Sequence, residues 1–470
     1  MLDEPMLDEP KEPLIDRRRR WLVLGCTSIS SALNCFMWMS YSATPEISRQ
    51  SLSPTNITLI SVEELDWTYS TSLTTVVLLM LPAAYMIEWH NYTTMLCSVV
   101  LNVAAAWLRY ASVAEASYPL AIASSVLLGG CTAVQMPAFA HLPNLWFPSH
   151  QRAFATAVSV QSWYAGWAMG ALVVPLVVRD GETMRSTMLV QAAVTSLSLP
   201  IFLLMYTARP PIIGGSEHSA AGGGGGSGNQ HAAHEQLSVR ASLSALAQNY
   251  QFWVHALSYG LLAGVSFTIP AITANSFSDC MHPNLRFVAD HSDYINFGFI
   301  GSGVIGGVII GALAPESCEP LAIRLSAAAC ALALSLVFVV TRPHALDAIG
   351  DGPSLLAMLV ALLSLAGASS LGFFSLALRS AARIGEPVAH VYCAGITETI
   401  SQLLAVSLTQ SSVCPVGFKA CTLSSLVVAV TLVLFARYPK IEQQRPQLVH
   451  VPDVDSAAAR PAEQPFAPSI

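Results

Sequence analysis

Glu398 and Gln402, in the stretch AGITETISQLL, are the residues of this chain whose types and spacing most invite chemistry. Four positions apart, they share one face if the stretch is helical. An ionisable or strongly polar side chain is costly in an apolar setting, so it is expected to face a cavity or a partner. Two readings stay open for the pair. It can be polar glue between helices, or it can face a cavity and hold a polar or cationic solute, with Glu398 as the proton acceptor. A second constellation sets aromatic residues beside small ones: Trp38 in NCFMWMSYS, Tyr259 and Phe267 in LSYGLLAGVSF, and Gln135 in CTAVQMPAF. Paired aromatic faces can cage an ammonium group by cation–π attraction, worth about 0.5–2 kcal/mol. Taken singly, each aromatic is equally a packing residue, and Trp67, Trp146 and Trp163 read as interface anchors. Arg109 either pairs with a carboxylate or, lying near the end of its apolar stretch, reaches its head group to the interface.

Other chemistries find no support. The 12 histidines are scattered without metal-ligand spacing, so no metal site and no cofactor is expected. Neither a nucleophile elbow nor a phosphate-binding loop is present, which argues against an enzyme. The formal net charge of −7 sits in tails and loops, and nucleic acid is not an expected partner. Most of the 10 cysteines lie in apolar stretches and read as small hydrophobes. Cys414 and Cys421 either stay as thiols or close one local bridge.

The elements that must position these residues are membrane helices. Hydrophobic residues make up 53% of the chain and charged residues only 11%, far below the quarter or so typical of soluble domains. A crossing needs about 20 mostly apolar residues. Stretches that qualify fall at 21–43, 67–87, 92–113, 118–140, 154–178 and 186–207, then at 251–277, 294–314, 320–340, 354–377, 388–408 and 416–436. The expected fold is thus an all-α membrane protein of twelve transmembrane helices in two six-helix bundles. The bundles span 21–207 and 251–437, with disordered tails at 1–20 and 438–470. Between them, 208–250 contains AAGGGGGSGNQHAAH and reads as a flexible linker. The opening residues are acidic and Pro-rich, so the first helix is expected to act as its own signal.

Basic residues orient the spans, because cytosolic loops collect Lys and Arg. Arg17, Arg18, Arg19, Arg20, Arg152, Arg379, Arg383 and Lys440 fall on the side of both termini. Only Arg49, Arg179, Arg185, Arg286, Arg342 and Lys419 fall on the other. Both termini are therefore expected in the cytosol. Asn56-Ile57-Thr58 then lies on the far side as a glycosylation sequon, whereas Asn91-Tyr92-Thr93 stays unmodified.

RRRRWLVLGCTSISSALNCFMWMSYS, NLWFPSHQRAFATAVSV, NYQFWVHALSYGLLAGVSF and AGITETISQ resemble the first helix, the segment after the fourth, the seventh and the eleventh helix of the feline leukaemia virus subgroup C receptor-related family. That family belongs to the major facilitator superfamily. ALVVPLVV with the later RPP is most similar to its disrupted-in-renal-carcinoma-2-like branch. The resemblance implies a secondary transporter, with its site at the bundle interface near the midplane. The substrate it implies is a small organic cation or amphipathic metabolite: choline-like, vitamin B6-like or haem. It further implies that Trp38 and a seventh-helix aromatic form the cage, with Gln135 and Gln402 as polar contacts. Phe267 departs from the family by lacking a hydroxyl. Glu398 departs by adding a negative charge that can favour a cation or link transport to protons or membrane potential. The loop after the second helix, LPAAYMIEWHN, keeps only Glu88 and His90 of the superfamily's acid and base, and RSAARIGEP replaces an acidic stretch. Those changes motivate the alternative of a non-transporting receptor or scaffold that retains the fold. EPKEPLI approximates a dileucine signal, which leaves a plasma-membrane or an endolysosomal location open.

Overall fold

The computed structural model describes residues 14–15, 17–53, 59–208, 212–213, 239–278, 282–314, 318–349, 351–411 and 417–438. Its long elements are helices because, without water, a spanning segment must satisfy every backbone N–H and C=O internally. The first half holds α1 (Arg17–Ser42), the short α2 (Pro45–Leu52), α3 (Val62–Ala114), α4 (Tyr118–Trp146), α5 (Ser149–Val177) and α6 (Gly181–Met205). The second half holds α7 (Val239–Gln248), α8 (Tyr250–Ser278), α9 (Pro283–Asp290), α10 (Ser292–Leu313), α11 (Glu319–Val340), α12 (Pro343–Ile349), α13 (Gly352–Ile384), α14 (His390–Ser411) and α15 (Gly417–Leu434).

Among the described residues, 10 helices are long and apolar enough to cross a membrane, and Phe418–Leu434 is a shorter apolar helix. One of the ten crosses twice. A straight helix of the 53 residues of α3 would be about 80 Å long. Yet the Tyr118 hydroxyl, just beyond its end, donates to the Glu64 carbonyl near its start at 2.8 Å. The chain doubles back at His90, whose φ of −134° and ψ of 50° are not helical. There the Thr94 hydroxyl reaches the Met86 and His90 carbonyls at 3.0 and 2.9 Å, meeting acceptors that the bend exposes. With Phe418–Leu434 counted, the described residues make twelve crossings, six in each half.

The two halves repeat one packing scheme. In the first, α1 lies on α5 and α3 on α4; in the second, α8 lies on α14 and α10 on α13. Glycine permits the close approach in both. A Cβ on Gly166 would overlap the Ala32 carbonyl of α1, and one on Gly367 would overlap the Phe299 carbonyl of α10. Small residues at such seams let membrane helices gain contact where lipid supplies no hydrophobic drive. The outer surface is accordingly apolar, with Leu78, Leu204, Leu313 and Leu434 all exposed.

Helix starts are set by local chemistry. Ser61 and Glu64 form a reciprocal capping box on α3, Asp180 and Thr183 do the same on α6, and Asp351 accepts from the Ser354 amide on α13. Parts of the stretches read as tail and linker carry structure as well. Leu14 and Ile15 pair antiparallel with Ile213 and Ile212, and Val239–Gln248 is helical with Leu246 buried. Between the halves, Gly311 of α10 meets Ala157 of α5, and the Gln161 amide of α5 donates to the Leu371 carbonyl of α13 at 2.8 Å.

Candidate substrate site

Seven side chains enclose a cavity between the halves: Cys35, Trp38 and Met39 from α1, Tyr69 from α3, Trp163 and Trp167 from α5, and Phe267 from α8. Its empty volume is ≈ 190 Å³, part of it open to solvent. The rings meet edge-on or tilted. Trp38 lies 5.1 Å from Tyr69 and 6.4 Å from Trp163, and Phe267 lies 6.2 Å from Trp163 and 5.5 Å from Trp167, centre to centre. Edge-on and tilted contacts of this kind are the favoured arrangements of paired aromatic rings. The Trp38 indole N–H is spent elsewhere, donating to the Thr132 hydroxyl of α4 at 3.3 Å.

From Phe267 an aromatic column runs through Tyr164 of the first half to Phe374 and Tyr259 of the second. Tyr164 sits 6.2 Å from Phe267 and stacks on Phe374 at 5.7 Å, which in turn lies 5.3 Å from Tyr259. At the far end the Tyr259 hydroxyl donates to Glu398 Oε1 at 2.5 Å, and the Ser401 hydroxyl shares its proton between the Glu398 carbonyl at 2.8 Å and Oε2 at 3.0 Å. Both carboxylate oxygens are thus partnered, and Glu398 is only 6% exposed. One turn further along α14, the Gln402 amide points across to Met136 of α4, 3.5 Å from its sulfur. Glu398 is held within its own half, whereas Gln402 bridges the two.

Apart from Gln402 at its contact with Met136, the substrate-site and coupling residues singled out from the sequence fall into three places. Trp38 and Phe267 share the aromatic cavity, Tyr259 and Glu398 share a hydrogen bond, and Gln135 lines a separate cavity with Thr27, Ser28, Ser31 and Ser159. Gln135 Nε2 donates to the Ser30 hydroxyl at 3.3 Å, while its Oε1 has no partner among the described residues. Asn56 and Cys414 lie outside the described residues.

Three expectations need correction. Trp163 is not an interface anchor but a wall of the aromatic cavity, 5% exposed, and Trp146 is buried at 1%; only Trp67, at 60%, has the exposure of an anchor. Arg109 neither reaches the interface nor pairs with a carboxylate among the described residues. It is buried, donating to the Met37 carbonyl and, at 3.2 Å, to the Ser124 hydroxyl, with the Tyr41 ring 4.4 Å from its guanidinium. The Met37 carbonyl and the Ser124 hydroxyl supply inside the bundle the acceptors that a snorkelling side chain would seek in water.

Sequence reading also missed a buried ion cluster. Glu319, at the start of α11 and 0% exposed, lies 2.6 Å from Arg383 and 3.6 Å from Arg379 of α13, and accepts from the Ser380 hydroxyl at 2.5 Å. The two arginines four apart in RSAAR were its visible signal, since that spacing puts both on one helix face.

Twelve crossings in two paired halves with an aromatic cavity between them define a polytopic membrane bundle, and comparisons with known proteins give its family. Residues 27–392 match the model of the Major Facilitator Superfamily, and the chain belongs to that family. It is similar to the human choline/ethanolamine transporter FLVCR2, 23% identical over 63% of this chain and 54% of that protein. It is also similar to an uncharacterized MFS-type transporter of Caenorhabditis elegans, 22% identical over 83% of this chain and 64% of that one. The chain thus spans between half and two-thirds of the length of these relatives. Among solved structures it resembles the Escherichia coli fucose:proton symporter FucP, with a TM-score of 0.62 at 12% identity over 90% of this chain and 99% of the symporter. That likeness shows the fold.

Proposed function

We propose that the chain is a secondary transporter that carries a small organic cation of the choline or ethanolamine type across a membrane by alternating access. The observation that carries this reading is the aromatic cavity, to which the first half gives Trp38, Tyr69, Trp163 and Trp167 and the second half gives Phe267. A cation held there touches both halves, so its binding energy can bias their relative positions. The relatives named for choline and ethanolamine support the same solute class.

Glu398 is the group that links transport to protons in this proposal, because it is buried, hydrogen-bonded to Tyr259 and joined to the cavity by the aromatic column. Cytosolic termini, a glycan on Asn56, and a plasma-membrane or endolysosomal location complete the proposal on the basis of charge placement and sequon position.

The test is the thermal stability of the purified protein with choline, ethanolamine, pyridoxine and haem, since a ligand that prefers the folded state raises apparent stability by mass action. A shift with choline or ethanolamine that Trp38→Ala removes supports the reading. No shift with any of the four removes it and leaves the non-transporting receptor as the explanation of the fold.

A further inference from the structure

Behind Trp38 lies a buried polar chain whose members Thr132, Asn34 and Asn102 do not themselves line the cavity. The indole N–H can only donate, so the Thr132 hydroxyl must accept from it. That hydroxyl then has one proton to give, and its shorter bond, 2.8 Å, runs to Asn34 Oδ1, against 3.0 Å to the Leu128 carbonyl. Asn34 Nδ2 donates to Asn102 Oδ1 at 3.1 Å, and Asn102 Nδ2 donates to the Ser30 carbonyl at 3.1 Å. Every link has one direction, fixed from the indole to the backbone. Asn34, Asn102 and Thr132 are each 0% exposed and come from α1, α3 and α4.

Two buried asparagines in a membrane interior are costly unless they do something. As simple glue they are weak, because interhelical hydrogen bonds in a bilayer average only about 0.6 kcal/mol. What the chain does instead is hold one edge of one ring. Asn34 and Trp38 are four apart on α1 and share a face, so the relay ties the indole edge to α4 while the ring lines the cavity. A cation–π contact depends on the cation sitting over the ring face, and a ring free to swing loses it.

We propose that Thr132 and Asn34, braced by Asn102, are positioning residues that preset the Trp38 ring for an ammonium group. The proposal rests on the organic-cation reading above for the identity of the ligand, but the orientation it assigns exists without any ligand. Thr132→Val removes the hydroxyl at nearly constant volume, and Thr132→Ser restores it.

The experiment uses the full-length protein in lipid nanodiscs, labelled with 5-fluorotryptophan, with the Trp38 fluorine resonance assigned by its loss in Trp38→Phe. Choline uptake by the same variants in proteoliposomes is measured in parallel. Thr132→Val is expected to shift or broaden the Trp38 resonance and to raise the KM for choline about three- to tenfold with little change in maximal rate. Thr132→Ser is expected to restore both. In a Trp38→Phe background, which has no indole N–H, Thr132→Val is expected to add nothing. An unchanged Trp38 resonance in Thr132→Val overturns the positioning role, whatever the ligand. A changed resonance with an unchanged KM overturns its part in recognition. If the wild type transports neither choline nor ethanolamine, the functional reading fails and the assignment to an ammonium group falls with it, while the resonance still reports whether the relay holds the ring.

Discussion

The two halves share a packing scheme but bury different chemistry. In the first half the interior polar residues are mostly neutral, the relay Trp38–Thr132–Asn34–Asn102 and the pair Gln135–Ser30, with Arg109 held by neutral oxygens and a ring. In the second half the interior carries carboxylates, Glu398 with Tyr259 and Ser401, and Glu319 with two arginines. Neutral hydrogen bonds with fixed donors hold one geometry, whereas a carboxylate can change charge. Under the proposed function, recognition then falls mainly to the first half, joined by Phe267 of the second, and response to an ion gradient falls to the second.

The largest expected effect comes from the second half. Glu319→Gln leaves Arg379 and Arg383 without their carboxylate partner in a buried setting, and breaking such a cluster typically costs about 3–5 kcal/mol. The variant is expected to melt well below the wild type or to be lost on extraction, as fluorescence-detected gel filtration after heating will show. If it is as stable as the wild type, the second half does not depend on its buried charge and the contrast weakens.

Next in size is Trp38→Ala, which removes a wall of the cavity. Loss of cation–π attraction of up to about 2 kcal/mol corresponds to a rise in KM for choline of up to about thirtyfold. Unchanged uptake would take recognition away from the first half. Glu398→Gln should act differently. It keeps an oxygen for the Tyr259 hydroxyl but cannot take up a proton. Uptake is expected to persist with a flattened dependence on external pH, measured as initial rate against an imposed pH gradient. A pH profile identical to that of the wild type would leave the carboxylate a structural role only.

How far the sequence foretold this arrangement depends on what each feature needs in order to be seen. Crossings were legible because length and apolarity are properties of single segments. Their ends were not: 354–377 became Gly352–Ile384, because a hydropathy window ends with the apolar run while the helix continues through RSAAR to meet Glu319. The separate spans 67–87 and 92–113 are the two crossings that meet in a reversal at His90, with helix running almost to that residue on either side. Trp38 and Phe267 stood out by residue type, and the structure brings them to one cavity. Trp163 did not, because an aromatic residue in an apolar run looks like an anchor until its helix face is known. Thr132, Asn34 and Asn102 are ordinary residues one at a time. Their relay exists only where α1, α3 and α4 converge, and single-sequence periodicity carries no information on which helices meet.

The smallest expected effect concerns what the halves have in common. Both cap a helix with an aspartate at the surface, Asp180 on α6 and Asp351 on α13. The hydrogen bond from the Thr183 amide, joined by one from its hydroxyl, holds the Asp180 carboxyl below the usual aspartate range. Folding therefore favours its ionised form. The stabilisation from this cap is full above the ordinary aspartate value of about 3.9 and fades as pH falls through the lower folded-state value. Asp180→Ala is expected to give the smallest melting shift of the set near neutral pH, to lose that shift in acid, and to leave the KM for choline and the pH profile of uptake unchanged. Melting curves taken from pH 7 down to the acid limit will check the first two outcomes and proteoliposome uptake the others. A change in uptake would mean that the rim of the first half takes part in transport, and the division between a recognising interior and a responsive one would have to extend to the surface.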